Sequence, residues 1–227
     1  MNPQTKNLLS RYAVATLGLI FVAIGVALSL KSNLGTAPVS CPPAVMNLRW
    51  HSLSVGTLTW MMHIVLILIQ LAILRQRFKV SYLMQIPAAF VFGYLCDAAI
   101  WAFDWIQVDS YETQMFLCIL TILVTAVGVR LEVIGNAWML AGEMTTVVLS
   151  DVTRTNFSTV KVLFDIFFVI VSAAFAWFAF GYLTGNGSDV VIREGTLILA
   201  ICTGLCMRLT DPVVDKLFLG FIDAQKH

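Results

Sequence analysis

The sequence predicts an all-α, polytopic membrane protein, and three observations carry that prediction. The 227 residues are 59% hydrophobic and only 12% charged, against about 25% charged in a soluble domain. The apolar residues gather in about six stretches near the twenty residues a spanning helix needs. No stretch of soluble-domain size remains between them, so residues 1–227 read as a single integral membrane domain.

The first span is read as Tyr12–Leu30, behind a short polar N-terminus that does not resemble a cleavable signal. A polar, proline-rich stretch follows, Lys31–Trp50. The second span is about Val55–Leu74, the third about Tyr82–Phe103 and the fourth about Met115–Leu131. The segment Asn136–Ser150 is apolar but too short to cross comfortably. The fifth span is about Val160–Tyr182. After a glycine-rich loop, Gly181–Ser188, the sixth is about Gly195–Leu209. The tail Asp211–His227 reads as a separate amphipathic surface helix with Val213, Leu217, Phe218 and Phe221 on its apolar face.

Counting Lys and Arg orients the chain. With both termini in the cytoplasm, most basic residues fall inside and only Lys31, Arg49 and Arg193 outside. The loop Asp104–Glu112, with acids and no base, also suits the outside. The expected location is a bacterial inner membrane. The chain also divides into halves, about 9–106 and 112–220, each reading span, short insert, span, span. Gly35–Leu48 answers to Met139–Val152, and Leu53-Ser54 to Phe157-Ser158. An odd number of spans per half inverts the second half relative to the first, an arrangement found in transporters with a midplane site.

The inserts predict two re-entrant half-helices. Pro38, Pro42 and Pro43 do not suit a helix interior, whereas Ser40 as N-cap with the prolines in the first turn starts a helix cleanly. Such a start, at Gly35–Ser40 and again near Gly142, offers free N–H groups to an anionic group. Irregular backbone at depth requires protein or water around it.

Charges inside apolar stretches mark the candidate site. Asp165 and Lys161 lie four apart on the fifth span and can pair. Glu143 stands beside Gly142 in the second insert, followed by Thr145 and Thr146 as hydroxyl donors. Arg193 and Glu194 open the last span, and Asp97 lies within the third. A lone His63 reads as packing, and Gln70 and Gln85 as cross-links between helices. Trp101, Trp105, Trp138 and Trp177 read as anchors or packing.

The five cysteines read as small apolar core residues, with no His or carboxylate at metal-ligand spacing, so neither metal nor cofactor is expected. A P-loop, a zinc-protease motif and a serine-hydrolase elbow are all missing from the sequence. The chain is not expected to be an enzyme.

Four motifs, in order, resemble the YczE/YitT-like bacterial membrane proteins. Leu34-Gly35-Thr36-Ala37-Pro38 is similar to their Leu-Gly-Thr-Ser-Pro signature, with Ala37 in place of Ser. Ala141-Gly142-Glu143, then Val160-Lys161-Val162 with Phe164-Asp165-Ile166, and finally Ile192-Arg193-Glu194-Gly195-Thr196 follow in register. The resemblance implies an integral membrane protein and supplies no catalytic residues.

The expectation is a secondary transporter of a small polar or amphipathic solute, in which Glu143 and Asp165 bind the solute or coupling protons. The rivals are a non-transporting membrane partner or regulator, and the membrane component of a multi-subunit importer. The partners are the lipid bilayer and the solute, with no nucleic acid. The apolar outer faces permit a homodimer.

Overall fold

The computed structural model describes residues 3–108, 110–186 and 190–223. Among these residues the secondary structure is helical apart from one isolated bridge between Gly185 and Val190. The helices are α1 (Pro3–Lys31), α2 (Cys41–Arg49), α3 (Val55–Leu74), α4 (Gln85–Ala102), α5 (Tyr111–Gly135), α6 (Ala141–Thr153), α7 (Phe157–Phe180) and α8 (Glu194–Asp223). Six of them are long and apolar enough to cross a membrane. The other two, α2 and α6, are short and occupy the places of the two inserts.

The order long, short, long, long therefore occurs twice. Packing repeats it too: α1 lies on α4 as α5 lies on α8, and α3 lies on α4 as α7 lies on α8. The short helices α2 and α6 each touch both α3 and α7. The most extensive contact is between α1 and α5. They run antiparallel, since Ala15 meets Gly135, Val22 meets Gly128 and Gly25 meets Thr125. Small residues allow this approach. A Cβ on Gly18 would lie 2.7 Å from the Gly128 carbonyl and 2.8 Å from the Glu132 nitrogen, both backbone atoms that cannot step aside.

The two halves also share polar details. In the first, the Ala37 N–H, at the entry to the first short helical segment, donates to Ser29 Oγ of α1 at 3.1 Å. In the second, the Leu140 N–H, at the entry to α6, donates to Glu132 Oε2 of α5 at 3.1 Å. Both bonds span eight residues. Ser54 donates to Asp97 Oδ2 of α4 at 2.6 Å, and its counterpart Ser158 donates to the Gly204 carbonyl of α8 at 2.6 Å. Each serine fastens the start of one helix to the last helix of its own half.

Three expectations change. The helical turn before α2 begins at Pro38, and Ser40 already has helical backbone (φ −92°, ψ −7°) with no side-chain cap bond. Pro38 sets the first turn, so the hydroxyl is left to face the interior. The fourth span extends to Gly135 and thereby encloses Glu132. The tail is no separate surface helix, because α8 continues through Pro212 to Asp223. Arg130 holds that continuation, with Nε donating to Asp215 Oδ1 at 2.7 Å and Asp211 3.7 Å away. Val214 is buried against Val14, Leu131 and Ile134. The Phe221 side chain lies outside the described residues.

Candidate functional site

The starts of the two short helices converge on one small cavity of about 40 Å³. From the first come Ala37, Pro38, Val39 and Ser40; from the second, Leu140 and Glu143. Lys161 and Asp165 reach it from α7, His63 from α3, Thr125 from α5 and Thr203 from α8. Val22, Val26, Phe92 and Leu199 complete an apolar wall. A space of this size holds about three waters.

Lys161 and Asp165 form an ion pair at 2.6 Å, with side chains 5% and 2% exposed. The i, i+4 spacing on α7 places both on one face. Lys161 therefore points inward, and its ammonium interacts electrostatically with Glu143 and Glu132 as well as with Asp165. Glu143 stands in the first turn of α6, 3% exposed, and its Oε2 has no hydrogen-bond partner. His63 is wholly buried and packs edge-on to Phe92 with ring centroids 5.8 Å apart. Neither of its ring nitrogens has a partner, nor does Thr125 Oγ1. Buried polar atoms are normally satisfied, so three unpartnered groups around one cavity mark it as a site rather than a packing flaw.

Two of these residues escape sequence reasoning. Glu132 lies one residue beyond the span limit read at Leu131, although the apolar run Val133-Ile134 behind it signals that the helix continues. His63 reads as packing because nothing in its own segment pairs with it. Its setting comes from α6, where Gly142 approaches its ring.

The start of α6 differs from the anion site the sequence suggests. Its leading N–H at Leu140 is already bonded to the Glu132 carboxylate, and Glu143 sits in its first turn. The positive end of this helix is compensated from within. Gly142 is not among the lining residues, and a Cβ there would make ordinary contact with Val39 at 3.6 Å. Thr145 turns away from the cavity. Its hydroxyl donates to the Ala141 carbonyl and accepts from Gln70 Nε2 at 2.9 Å, while Gln70 and Gln85 exchange two amide hydrogen bonds. The expected glutamine cross-link is thus present, tying α3, α4 and α6.

The remaining predicted residues lie elsewhere. Gly35 and Thr36 join Arg193 and Glu194 in a seam between the end of α1 and the start of α8. There the Thr36 N–H donates to the Val191 carbonyl, the Gly195 N–H to the Leu34 carbonyl, and Arg193 Nη1 to the Asn33 carbonyl at 2.6 Å. Gly35 has φ +111°, and a Cβ there would collide with the Thr196 hydroxyl. Asp97 clamps α4 to the start of α3 through Ser54 and the Gly56 N–H. Neither the seam nor the clamp reaches the cavity lining.

Residues 9–212 match the family described as "Family of unknown function (DUF6198)". The chain belongs to this family. No curated protein and no solved structure matches it. For a DUF6198 chain the chemistry must therefore be argued from the cavity. Among the described residues its charged lining comes from the second half, with Glu143, Lys161 and Asp165 at the wall and Glu132 behind them within electrostatic reach, set against a first half that contributes His63.

Proposed function

We propose that this chain is a secondary transporter that moves a small polar or amphipathic solute through the central cavity. The carrying observation is the convergence of two short-helix starts on a small space lined by Glu143, Lys161, Asp165 and His63. Discontinuous helices meeting at a buried polar site recur in transporters built from inverted repeats. The antiparallel α1 and α5, the matching eight-residue bonds and the paired serines support reading the chain as two inverted halves with α2 and α6 as re-entrant half-helices. The motif order supports kinship with the YczE/YitT-like proteins.

On this reading both termini are cytoplasmic, which the lopsided Lys and Arg distribution supports. The seam of Gly35, Thr36 and Arg193 then closes the outer end. Rocking of one half against the other opens the cavity to each side in turn.

Reconstitution into proteoliposomes tests this. Labelled amino acids, organic acids, amines and sulfur compounds are offered with and without a pH gradient. The expected result is uptake of one chemical class by the wild type, lost in Glu143→Gln and Asp165→Asn at equal insertion. If no solute moves under either condition, the transporter reading fails and a partner-protein role replaces it.

A further inference from the structure

The charges around the cavity do not balance, and their hydrogen bonds show where the imbalance lies. Lys161 and Asp165 compensate each other at 2.6 Å. Glu132 accepts the Leu140 N–H and sits against the positive end of α6. Glu132 Oε1 is buried without a partner, but Glu132 lies outside the cavity lining, whereas Glu143 lines the cavity and its Oε2 has no partner either. An ionised carboxylate at this depth requires a counter-charge.

Lys161 reaches Glu143 electrostatically but is bonded to Asp165, and two unpartnered groups that line the cavity with Glu143 can act as acceptors. His63 offers an imidazole nitrogen, and Thr125 offers its hydroxyl oxygen; both are buried, line the same cavity and have no partner. Together with Glu143 Oε2 they number three. A primary ammonium carries three N–H donors, so this set matches it group for group. The apolar wall of Val22, Val26, Phe92 and Leu199 would receive the alkyl part. An anion finds less here, since Lys161, the one Lys or Arg among the described lining residues, is already bound to Asp165. Two further titratable groups lie behind the lining within electrostatic reach of it, Glu132 from α5 and Cys41 from α2, whose thiol donates to the Thr36 carbonyl.

We infer that Glu143 holds either a proton or the ammonium group of a small primary amine, never both, so that each amine bound expels the proton to water. This deepens the transporter reading at the same site by naming the solute class and the exchange. No bond other than the carboxyl O–H breaks, and the total charge of the site is the same in both states. An amine–proton exchange across the membrane follows if the two states alternate between sides.

The test uses the purified full chain in detergent, titrated with ethylamine and ethanolamine, with propionate as the anionic control, in weakly buffered solution containing a pH dye. The expected result is amine binding with release of about one proton per amine, and affinity rising about tenfold per pH unit through the acid range. Glu143→Gln should abolish binding and release, Thr125→Ala should weaken binding several-fold, and Asp97→Asn should behave as wild type. Infrared difference spectra of the wild type alone should show a protonated carboxyl stretch disappearing as ethylamine binds, a readout independent of whether any variant folds. Amine binding without proton release, binding of propionate in preference to both amines, or no amine binding at all would overturn the inference. These outcomes are separable from the transporter reading, which stands or falls on solute flux in proteoliposomes.

Discussion

Removing either member of the buried ion pair should destabilise the protein, but not equally. Lys161 and Asp165 are both almost wholly buried, and breaking a pair of this kind costs about 3–5 kcal/mol because the survivor is left uncompensated. In Asp165→Leu the survivor is Lys161, which still has Glu143 and Glu132 within electrostatic reach. Its cost should fall near the lower end, about 3 kcal/mol. In Lys161→Met the survivors are three buried carboxylates that had all been within electrostatic reach of Lys161, so the cost should approach about 5 kcal/mol. The double variant Lys161→Met/Asp165→Leu removes both charges and should recover much of the loss, with a coupling energy of about 2 kcal/mol or more. The assay is thermal or denaturant unfolding of all four proteins in one detergent, where about 3 kcal/mol corresponds to a fall of about 6–12 °C for a chain of this size. Single variants as stable as the wild type, or costs in the reverse order, would refute the claim that Lys161 serves the whole cluster.

Other outcomes follow from the packing. Gly18→Ala should lose about 1–3 kcal/mol through its collision with the α5 backbone, whereas Gly142→Ala should stay within about 1 kcal/mol of wild type because its Cβ meets only ordinary contacts; unfolding midpoints compare them directly. Gln70→Ala leaves the buried Gln85 amide without its two reciprocal bonds and should cost about 2 kcal/mol, measured in the same way. Arg130→Ala releases Asp211 and Asp215, so limited proteolysis should cut α8 after Pro212 sooner, with a global cost of about 1 kcal/mol for these partly exposed groups.

The six long helices were legible because burial in lipid demands long apolar runs, and length alone reads them. The two short helices were legible through Pro38, Pro42 and Pro43 and through the brevity of the second insert. The ion pair of Lys161 and Asp165 was legible from its spacing on one helix. What a linear reading misses is set by contacts between distant segments. Glu132 gains its meaning from Leu140, and His63 from its place beside Gly142 and Phe92. The continuation of α8 through Pro212 rests on Arg130 of another helix, so local helix-breaking chemistry pointed the wrong way there. Arg193 and Asp97 carry charge within or beside apolar stretches, yet each is satisfied by local backbone or side-chain partners away from the cavity.

The confinement of every charge at the cavity to one half has an electrical consequence. Were that half to shift against the other, the membrane voltage would act on the moving part whenever Glu143 is ionised. The full drop is worth about 2.3 kcal/mol per charge for each 100 mV. With a proton or an ammonium on Glu143 the same displacement carries one negative charge fewer, and the pull of the voltage changes by that amount. A step made with Glu143 empty and deprotonated would then feel the potential differently from the loaded step by one charge, and Glu143→Gln would abolish that difference.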